Sequence, residues 1–204
     1  MPRLHLGFLA SHGGSNMQAI IDACRDERLD ARSCVVISNN SDSMALQRAR
    51  DAGIAGYHIS GRTHPGEAED AAILETLRRH GVDTVILAGY MKRLGPQTLQ
   101  AYRGRILNIH PALLPKFGGQ GMYGKRVHEA VLQAGETVTG VTIHLVDEHY
   151  DHGPTLAQRE MPVLPGDTAE SLAARVLVEE HWLYVETLRQ ISAGTILLGE
   201  GKRR

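Results

Sequence analysis

Residues 4–38 read LHLGFLASHGGSNMQAIIDACRDERLDARSCVVIS, a stretch in which an apolar run, a glycine-rich polar loop, an amphipathic helical pattern and a second apolar run follow one another. Strands that alternate with amphipathic helices predict crossover units, whose parallel strands form a sheet that helices cover. The alternation continues along the chain through SMALQRARDAG, EAEDAAILETLRRHG and TVILAG. The first half of the chain is therefore predicted to be α/β with a parallel sheet.

The second half of the chain carries a different pattern. After the strand-like run RILNIH come a glycine-rich stretch from Phe117 to Gly124, a helix around Val127 to Ala134, and two further strand-like runs, GVTIHLV and PTLAQREMPV. Only EHYDHG separates these last two runs, which is too short for a helical crossover, so they are predicted to pair antiparallel and the sheet to be mixed. A long final helix is predicted to start near Asp167, with Glu170 completing a capping-box pattern, and to run to about Ser192.

Length and charge limit the classes of partner. The chain has 204 residues and a formal net charge of -1 at pH 7. This length fits one compact domain over residues 1–204. A nearly neutral chain has no broad field that attracts polyanions, so nucleic acid is a poor partner and any phosphate site must be local. No stretch is long enough to span a membrane, and the apolar run at 4–10 is too short for the core of a signal peptide, which favours a cytoplasmic location.

Metal binding is not predicted. The two cysteines, Cys24 and Cys34, form no CxxC pair. The histidines also show none of the paired spacings that are typical of metal ligands.

The loop after the first predicted strand is the first candidate binding site. It reads Ser11-His12-Gly13-Gly14-Ser15-Asn16 and leads directly into a helix. Glycines let the backbone approach a ligand closely, and the unpaired N–H groups at a helix start attract a phosphate. A flexible turn that merely caps the helix explains the same residues equally well.

Polar side chains at the exit of the strand 105–110 are the second candidate site. Asn108 and His110 share one face of this strand, and Pro111 ends it. An amide and an imidazole at a strand end can bond a reacting carbonyl oxygen and move a proton. Taken by itself, such a pair more often caps loop backbone.

Asp151 is the third candidate. Thr142, His144 and Val146 share one face of the next strand, which leads into the turn Asp151-His152-Gly153-Pro154. Asp151 is either an ordinary turn residue or a carboxylate that pairs with His110, raises the pKa of that imidazole and orders a water. Spacing alone leaves both interpretations open.

The final helix contains one carboxylate in an unexpected place. Glu180 falls near the middle of an apolar arc that includes Leu172, Val176 and Leu183. A carboxylate on the inward face of a helix needs a partner, so Glu180 is predicted to meet either an internal cation or a ligand hydroxyl.

Taken together, these residues resemble the phosphoribosylglycinamide formyltransferase family over nearly the whole chain, from the GGSN loop to EEH. The run LNIHPALLPKF is the strongest marker of the resemblance. Because similar Asn-x-His-Pro segments occur across the wider formyltransferase group, this run identifies the chemistry better than the acceptor. The acceptor is indicated by Gly14-Ser15-Asn16, by LAGYMKRL and by Glu180.

The resemblance implies direct transfer of a formyl group from 10-formyltetrahydrofolate, the co-substrate, to the amine of glycinamide ribonucleotide in de novo purine biosynthesis, without a metal. It also implies a Rossmann-like mixed sheet with a parallel N-terminal half, antiparallel C-terminal strands and helices on both faces. A monomer or homodimer is expected. The positions that match the family's functional residues are catalytic Asn108, His110 and Asp151; ribonucleotide-binding Gly13, Gly14, Ser15, Asn16 and Glu180; folate-binding Met91, Lys92, Arg93, Leu94, Val146 and the loop Asp147 to Asp151; and His144, a supporting histidine of the active site.

Two departures and three alternatives accompany this interpretation. The segment after Lys116 is glycine-rich and longer than in compact members of the family, and His12 stands where a smaller residue is frequent. A methionyl-tRNA formyltransferase is expected to carry a further C-terminal RNA-binding domain. A 10-formyltetrahydrofolate hydrolase is expected to carry a regulatory domain before the first strand. The single domain predicted for these 204 residues leaves room for neither, so both alternatives are disfavoured. A non-catalytic nucleotide-binding module would have no use for Asn108, His110 and Asp151 together.

Overall fold

The computed structural model describes residues 3–199. Within this range the elements follow one another as β1 (Leu4–Ala10), α1 (Ser15–Arg25), β2 (Ala31–Ser38), α2 (Met44–Asp51), β3 (Ala55–His58), α3 (Glu67–Arg79), β4 (Thr84–Leu87), α4 (Pro96–Ala101), β5 (Ile106–His110), α5 (Lys125–Gln133), β6 (Val138–Leu145), β7 (Thr155–Pro162) and α6 (Ala169–Ser192).

The strands form a single seven-stranded sheet in the order β3-β2-β1-β4-β5-β6-β7. Strands β1 to β5 are parallel, whereas β6 pairs antiparallel with β5 and β7 pairs antiparallel with β6. The predicted mixed sheet is therefore confirmed. Because β1 lies between β2 and β4, the strand order reverses at β1, and a crevice is expected at the carboxyl ends of β1 and β4.

Helices cover both faces of the sheet. Along β1, Leu6 and Phe8 lie in an apolar layer with residues of α1, α2, α5 and α6, whereas Leu9 lies in a second layer with residues of α3. This division follows from the alternation of side chains along a strand. Burial of both layers fixes the register of the strands, because a slip of one residue would exchange the two faces.

Helix α6 is fixed to the sheet by Tyr184, whose side chain is completely buried. The Tyr184 hydroxyl lies 3.1 Å from the Leu87 carbonyl oxygen at the end of β4 and 2.9 Å from the Leu107 carbonyl oxygen in β5. The hydroxyl shares its proton between these two acceptors. One side chain of α6 thus connects two neighbouring strands at the level of the crevice.

The cap of α6 differs from the prediction. The capping box is formed by Thr168 and Ser171 rather than by Asp167 and Glu170, so α6 begins at Ala169. The Asp167 carboxylate instead accepts hydrogen bonds from the Leu164 N–H and the Ser171 hydroxyl and pairs with Arg175, while Glu170 pairs with Lys125. A serine hydroxyl at the third helical position reaches the Thr168 N–H as a glutamate would, which explains the shift.

Between residues 3 and 199, no helix combines the length and the apolar character needed to cross a membrane.

Candidate active site

The loop after β1 is held in an unusual conformation at the start of α1. Gly14 is the residue before the helix and has φ +66°, in the left-handed region that glycine adopts most readily. Its carbonyl oxygen accepts the hydrogen bond of the Gln18 N–H at 2.9 Å. No side chain of the described residues caps this helix start. The N-terminus of α1 is therefore available for an anion.

Ser11 connects this loop to two other strand ends, and sequence reasoning did not single it out. Its buried hydroxyl donates to Oδ1 of Asn39 at 2.6 Å and accepts from the Met91 N–H at 2.7 Å. The Asn40 side chain donates to the Ser11 carbonyl at 2.6 Å. The ends of β1, β2 and β4 are thus joined at the point where the strand order reverses. The signal available in the sequence was a serine that directly follows the apolar run at 4–10, where a polar side chain meets the ends of neighbouring strands.

Asn108 and His110 lie at the exit of β5, as predicted, and β6 supplies the residues beside them. The antiparallel register places Asn108 opposite His144 and His110 opposite Thr142. Nδ2 of Asn108 lies 3.1 Å from Nε2 of His144, and Nδ1 of His144 lies 2.9 Å from the Leu145 carbonyl oxygen. A neutral His144 ring that donates through Nδ1 accepts an Asn108 N–H at Nε2. The other Asn108 N–H remains for a ligand.

Asp151 lies beside both histidines. One carboxylate oxygen is 3.5 Å from Nδ1 of His110, and the other is 3.5 Å from Nε2 of His144. The Gly119 N–H donates to the same carboxylate at 3.0 Å. Asp151 has φ +54°, which turns the chain so that the side chain reaches back toward β5. Of the two interpretations left open, the geometry therefore favours the carboxylate partner.

His110 is held by backbone on its other side. The ring is 3% exposed, and Nε2 lies 2.7 Å from the Phe117 carbonyl oxygen, which can only accept. The proton of the neutral ring is thus assigned to Nε2, which leaves Nδ1 as an acceptor on the side of Asp151. The segment Phe117–Gly119 orients both His110 and Asp151 through its backbone, and backbone contacts of this kind carry no side-chain signal in a sequence.

The surroundings of His110 and Asp151 favour a neutral imidazole beside a charged carboxylate. Burial lowers the pKa of His110 below its ordinary value, although the Asp151 carboxylate and the Phe117 carbonyl oppose this effect. Burial raises the pKa of Asp151, but the His144 and His110 rings and the Gly119 N–H outweigh it, so that the pKa of Asp151 is lowered. At neutral pH the pair therefore consists of a carboxylate and a neutral imidazole that can accept a proton.

Glu180 meets an amide in the described part of the chain. Nδ2 of Asn16 donates to a Glu180 carboxylate oxygen at 2.6 Å, and no cationic side chain among residues 3–199 forms an ion pair with Glu180. Burial raises the pKa of Glu180 to about 7, and the hydrogen bond from Asn16 opposes this rise. Asn16 is 7% exposed, and its Oδ1 has no hydrogen-bond partner within residues 3–199. An unpaired buried acceptor beside a carboxylate suits a ligand that carries hydroxyl donors.

The residues matched to a folate pocket lie on two connected segments. Met91, Lys92 and Arg93 are exposed after β4, whereas Leu94 is buried in the apolar layer with α3. The Arg93 guanidinium donates to the Glu148 carbonyl oxygen and so joins this segment to the loop after β6. In that loop Val146 is half-buried and Asp147 is exposed.

The described residues form no metal site, and a large surface groove lies apart from the residues predicted for the site. Across residues 3–199, no three His, Cys, Asp or Glu side chains are placed to hold a metal ion together. A surface groove of about 700 Å³ lies between α1 and α6, is lined by Trp182, Val178 and His181 among others, and includes none of the residues predicted for the site.

Comparisons with known proteins identify the family of this chain. A family model described as "Formyl transferase" matches residues 5–188. The chain is 36% identical over 198 residues to the phosphoribosylglycinamide formyltransferase of Escherichia coli, covering 97% of this chain and 91% of that protein. It is 45% identical over 190 residues to a chloroplastic phosphoribosylglycinamide formyltransferase of Vigna unguiculata, of which it spans 61% while 93% of this chain is covered.

A solved structure extends the comparison. Glycinamide ribonucleotide transformylase 1 from Symbiobacterium toebii superimposes with a TM-score of 0.89 at 43% identity, covering 98% of this chain and 92% of that one. The resemblance predicted from the sequence is therefore confirmed: the chain belongs to the formyl transferase family and is similar along nearly its whole length to the phosphoribosylglycinamide formyltransferases within it.

Proposed function

We propose that this chain transfers the formyl group of 10-formyltetrahydrofolate to the amine of glycinamide ribonucleotide, a step of de novo purine biosynthesis. The observation that carries the proposal is the meeting of Asn108, His110 and Asp151 at the carboxyl end of β5. Membership of the formyl transferase family supplies the chemistry that this cluster would serve.

Asn108 would stabilise the charge that develops during transfer. The amine attacks the formyl carbon, and the carbonyl oxygen becomes an oxyanion. One Asn108 N–H is engaged by His144, and the other has no partner among residues 3–199, so it can donate to that oxygen. One such donor is typically worth about a hundred- to a thousandfold in rate.

His110 and Asp151 would move the proton. The attacking amine loses one proton, and the leaving nitrogen of the folate gains one. Nδ1 of His110 is free to accept the first proton, because Nε2 is engaged by the Phe117 carbonyl. The Asp151 carboxylate then stabilises the protonated ring and anchors a water that relays the proton to the leaving nitrogen.

The ribonucleotide would bind along the start of α1. Its phosphate would contact the backbone of Gly13, Gly14 and Ser15 together with Asn16, where the helix dipole favours negative charge. Its ribose hydroxyls would donate to Glu180, which already lies 2.6 Å from Nδ2 of Asn16. Phosphate and ribose would thus be held at the α1 start and at α6.

The reduced folate would occupy the other side of the crevice. Met91, Lys92, Arg93, Leu94, Val146 and Asp147 are the residues proposed to bind it. The contact between Arg93 and the Glu148 carbonyl supports this assignment, because it connects the two segments that hold these residues. The hydrogen bond from the Met91 N–H to the Ser11 hydroxyl links the same region to residues 11–16, the proposed phosphate loop.

The wider setting is also a proposal. We propose that residues 1–204 act as one formyltransferase domain in the cytoplasm, as a monomer or homodimer without a nucleic-acid partner. The nearly neutral net charge of -1 supports the absence of a polyanionic partner.

The proposed function is tested by offering the purified protein and 10-formyltetrahydrofolate three rival acceptors: glycinamide ribonucleotide, initiator methionyl-tRNA and water. Formylation of the ribonucleotide alone is expected. The His110→Ala variant should retain its fold by circular dichroism and lose transfer. His5→Ala, near the amino end of the inner strand β1 and away from the strand exits that hold the site, serves as the control and should transfer normally. Formylation of the tRNA, or release of formate as the main product, contradicts the proposal.

A further inference from the structure

Helix α2 lies behind the phosphate loop and contacts it at two successive carbonyl groups. The Ala45 N–H donates to the His12 carbonyl oxygen at 3.0 Å. One turn later, Nε of Arg48 donates to the Gly13 carbonyl oxygen at 3.0 Å. A Cβ atom on Gly14 would lie 3.0 Å from the Ala45 side chain, so loop and helix are in close contact.

These two hydrogen bonds determine where the N–H groups of the loop point. In a trans peptide the carbonyl and the following N–H point in opposite directions. Because the His12 and Gly13 carbonyls point toward α2, the N–H groups of Gly13 and Gly14 point away from α2. Helix α2 thereby turns two donors of the glycine loop outward beside the start of α1.

Arg48 also places an uncompensated charge at the loop. It is half-buried, and its second hydrogen bond goes from a terminal guanidinium nitrogen to Oε1 of Gln18 at 3.3 Å. Both of its acceptors in the described chain are uncharged, so no carboxylate there neutralises the guanidinium. Burial lowers the pKa of His181 on α6, and the charge of Arg48 adds to this effect. The positive charge of Arg48 therefore also acts on a residue of α6.

We infer that Arg48 is a positioning residue for the phosphate of the substrate: it holds the Gly13 carbonyl so that the Gly13 and Gly14 N–H groups face the phosphate, and it supplies the positive charge at that site. The inference rests on the proposed function for the identity of the substrate. Oδ1 of Asn16, which is buried and has no hydrogen-bond partner among residues 3–199, independently indicates that a ligand with hydroxyl donors binds beside this helix start.

Three variants test the inference. Arg48→Gln removes the charge, and Arg48→Lys keeps the charge but lacks the Nε donor. Arg50→Gln is the control, because Arg50 is exposed on the same helix and, within residues 3–199, its side chain hydrogen-bonds only to Gln47. Arg48→Gln should raise KM for glycinamide ribonucleotide roughly tenfold or more, since a hydrogen bond to a charged group contributes on the order of such a factor. The kcat and the KM for the folate should stay within about twofold of wild type, and Arg48→Lys should recover part of the loss.

A second measurement does not depend on the acceptor. Calorimetric titration with ribose 5-phosphate in the absence of folate should show weaker binding to Arg48→Gln than to the wild type and the Arg50→Gln control. Its affinity should also fall less steeply with salt, because one cationic contact is missing. If the wild type fails to formylate glycinamide ribonucleotide, the proposed function fails, while this titration still decides the role of Arg48. Unchanged binding of ribose 5-phosphate, an equal rise of both KM values, or no binding to the wild type overturns the inference.

Discussion

His110 lies between a backbone acceptor and a carboxylate, and the two contacts have different purposes. The Phe117 carbonyl fixes which nitrogen carries the proton of the neutral ring, whereas Asp151 stabilises the ring after it has gained a second proton. Burial works against that second proton and lowers the pKa of His110. In the proposed reaction, the histidine is thus neutral when the amine arrives and is stabilised by Asp151 only as it becomes charged.

This balance predicts a titration. In the free protein the pKa of His110 should lie below the ordinary histidine value of 6.5. It should fall further in Asp151→Asn, because the carboxylate raises it. The measurement is an NMR pH titration of the histidine ring signals, with the His110 signal identified by its loss in His110→Ala. An unchanged or higher pKa in Asp151→Asn would show that the two groups do not interact.

Glu180 predicts a pH-dependent affinity for ribose. Its pKa is about 7, and the charged form accepts hydroxyl donors better, so the Glu180 contribution to binding should be present at pH 8 and lost as the pH falls to 6. Titration with ribose 5-phosphate at each pH compares the wild type with Glu180→Gln. The phosphate of the ligand changes its charge equally in both titrations, so the difference between the two proteins reports on Glu180. The difference between the two should shrink toward pH 6, and folate affinity should change less than ribose 5-phosphate affinity. A difference that stays constant with pH would exclude the carboxylate as the acceptor.

At the scale of elements, the turn between β6 and β7 carries Asp151 to His110. Gly153 in this turn is buried, and a Cβ atom there would lie 1.9 Å from the Leu145 carbonyl oxygen. Backbone cannot give way as a flexible side chain can. A side chain at residue 153 would therefore force the turn to move, and Asp151 would move with it away from both histidines.

Gly153→Ala should consequently reduce kcat by at least about tenfold, because a shift of about 1 Å in a reacting group has effects of this order or larger. His152→Ala is the matched control, since that side chain is exposed in the same turn. Steady-state kinetics check the prediction, and circular dichroism checks the fold. Normal turnover in Gly153→Ala would mean that the position of Asp151 is not critical.

At the scale of the whole molecule, α6 connects the sheet to the crevice through Tyr184. Removing the hydroxyl in Tyr184→Phe leaves the Leu87 and Leu107 carbonyls with a lost partner in a dry environment. The free energy of unfolding should fall by about 1–2 kcal/mol. Urea denaturation measures it, and Tyr150→Phe, whose side chain is exposed, should show no change. An unaltered midpoint for Tyr184→Phe would mean that the hydroxyl does not contribute to holding α6.

The sequence allowed much of this architecture to be predicted, because its signals are local. Strand runs, helix periodicity and the short EHYDHG connection led to the mixed sheet, and alternation along β5 placed Asn108 and His110 on one face. Local signals did not decide whether Asp151 pairs with His110, since that contact depends on how a turn folds back. They also gave no separate role to Ser11, although it opens the candidate loop, and none to the Phe117 carbonyl. They placed the α6 cap at Asp167 rather than at Thr168, because a serine and a glutamate can complete the same box.

The contact between Asn16 and Glu180 joins residues that are 164 positions apart in the chain. As the chain is synthesised, the glycine loop leaves the ribosome well before α6, so the proposed ribose side of the site cannot be complete until α6 has also been made. Contacts of such long sequence separation also slow folding, because a large loop must close before they form. A nascent chain arrested before α6 would therefore hold Asn108, His110 and His144 but lack Glu180, the carboxylate proposed to bind the ribose.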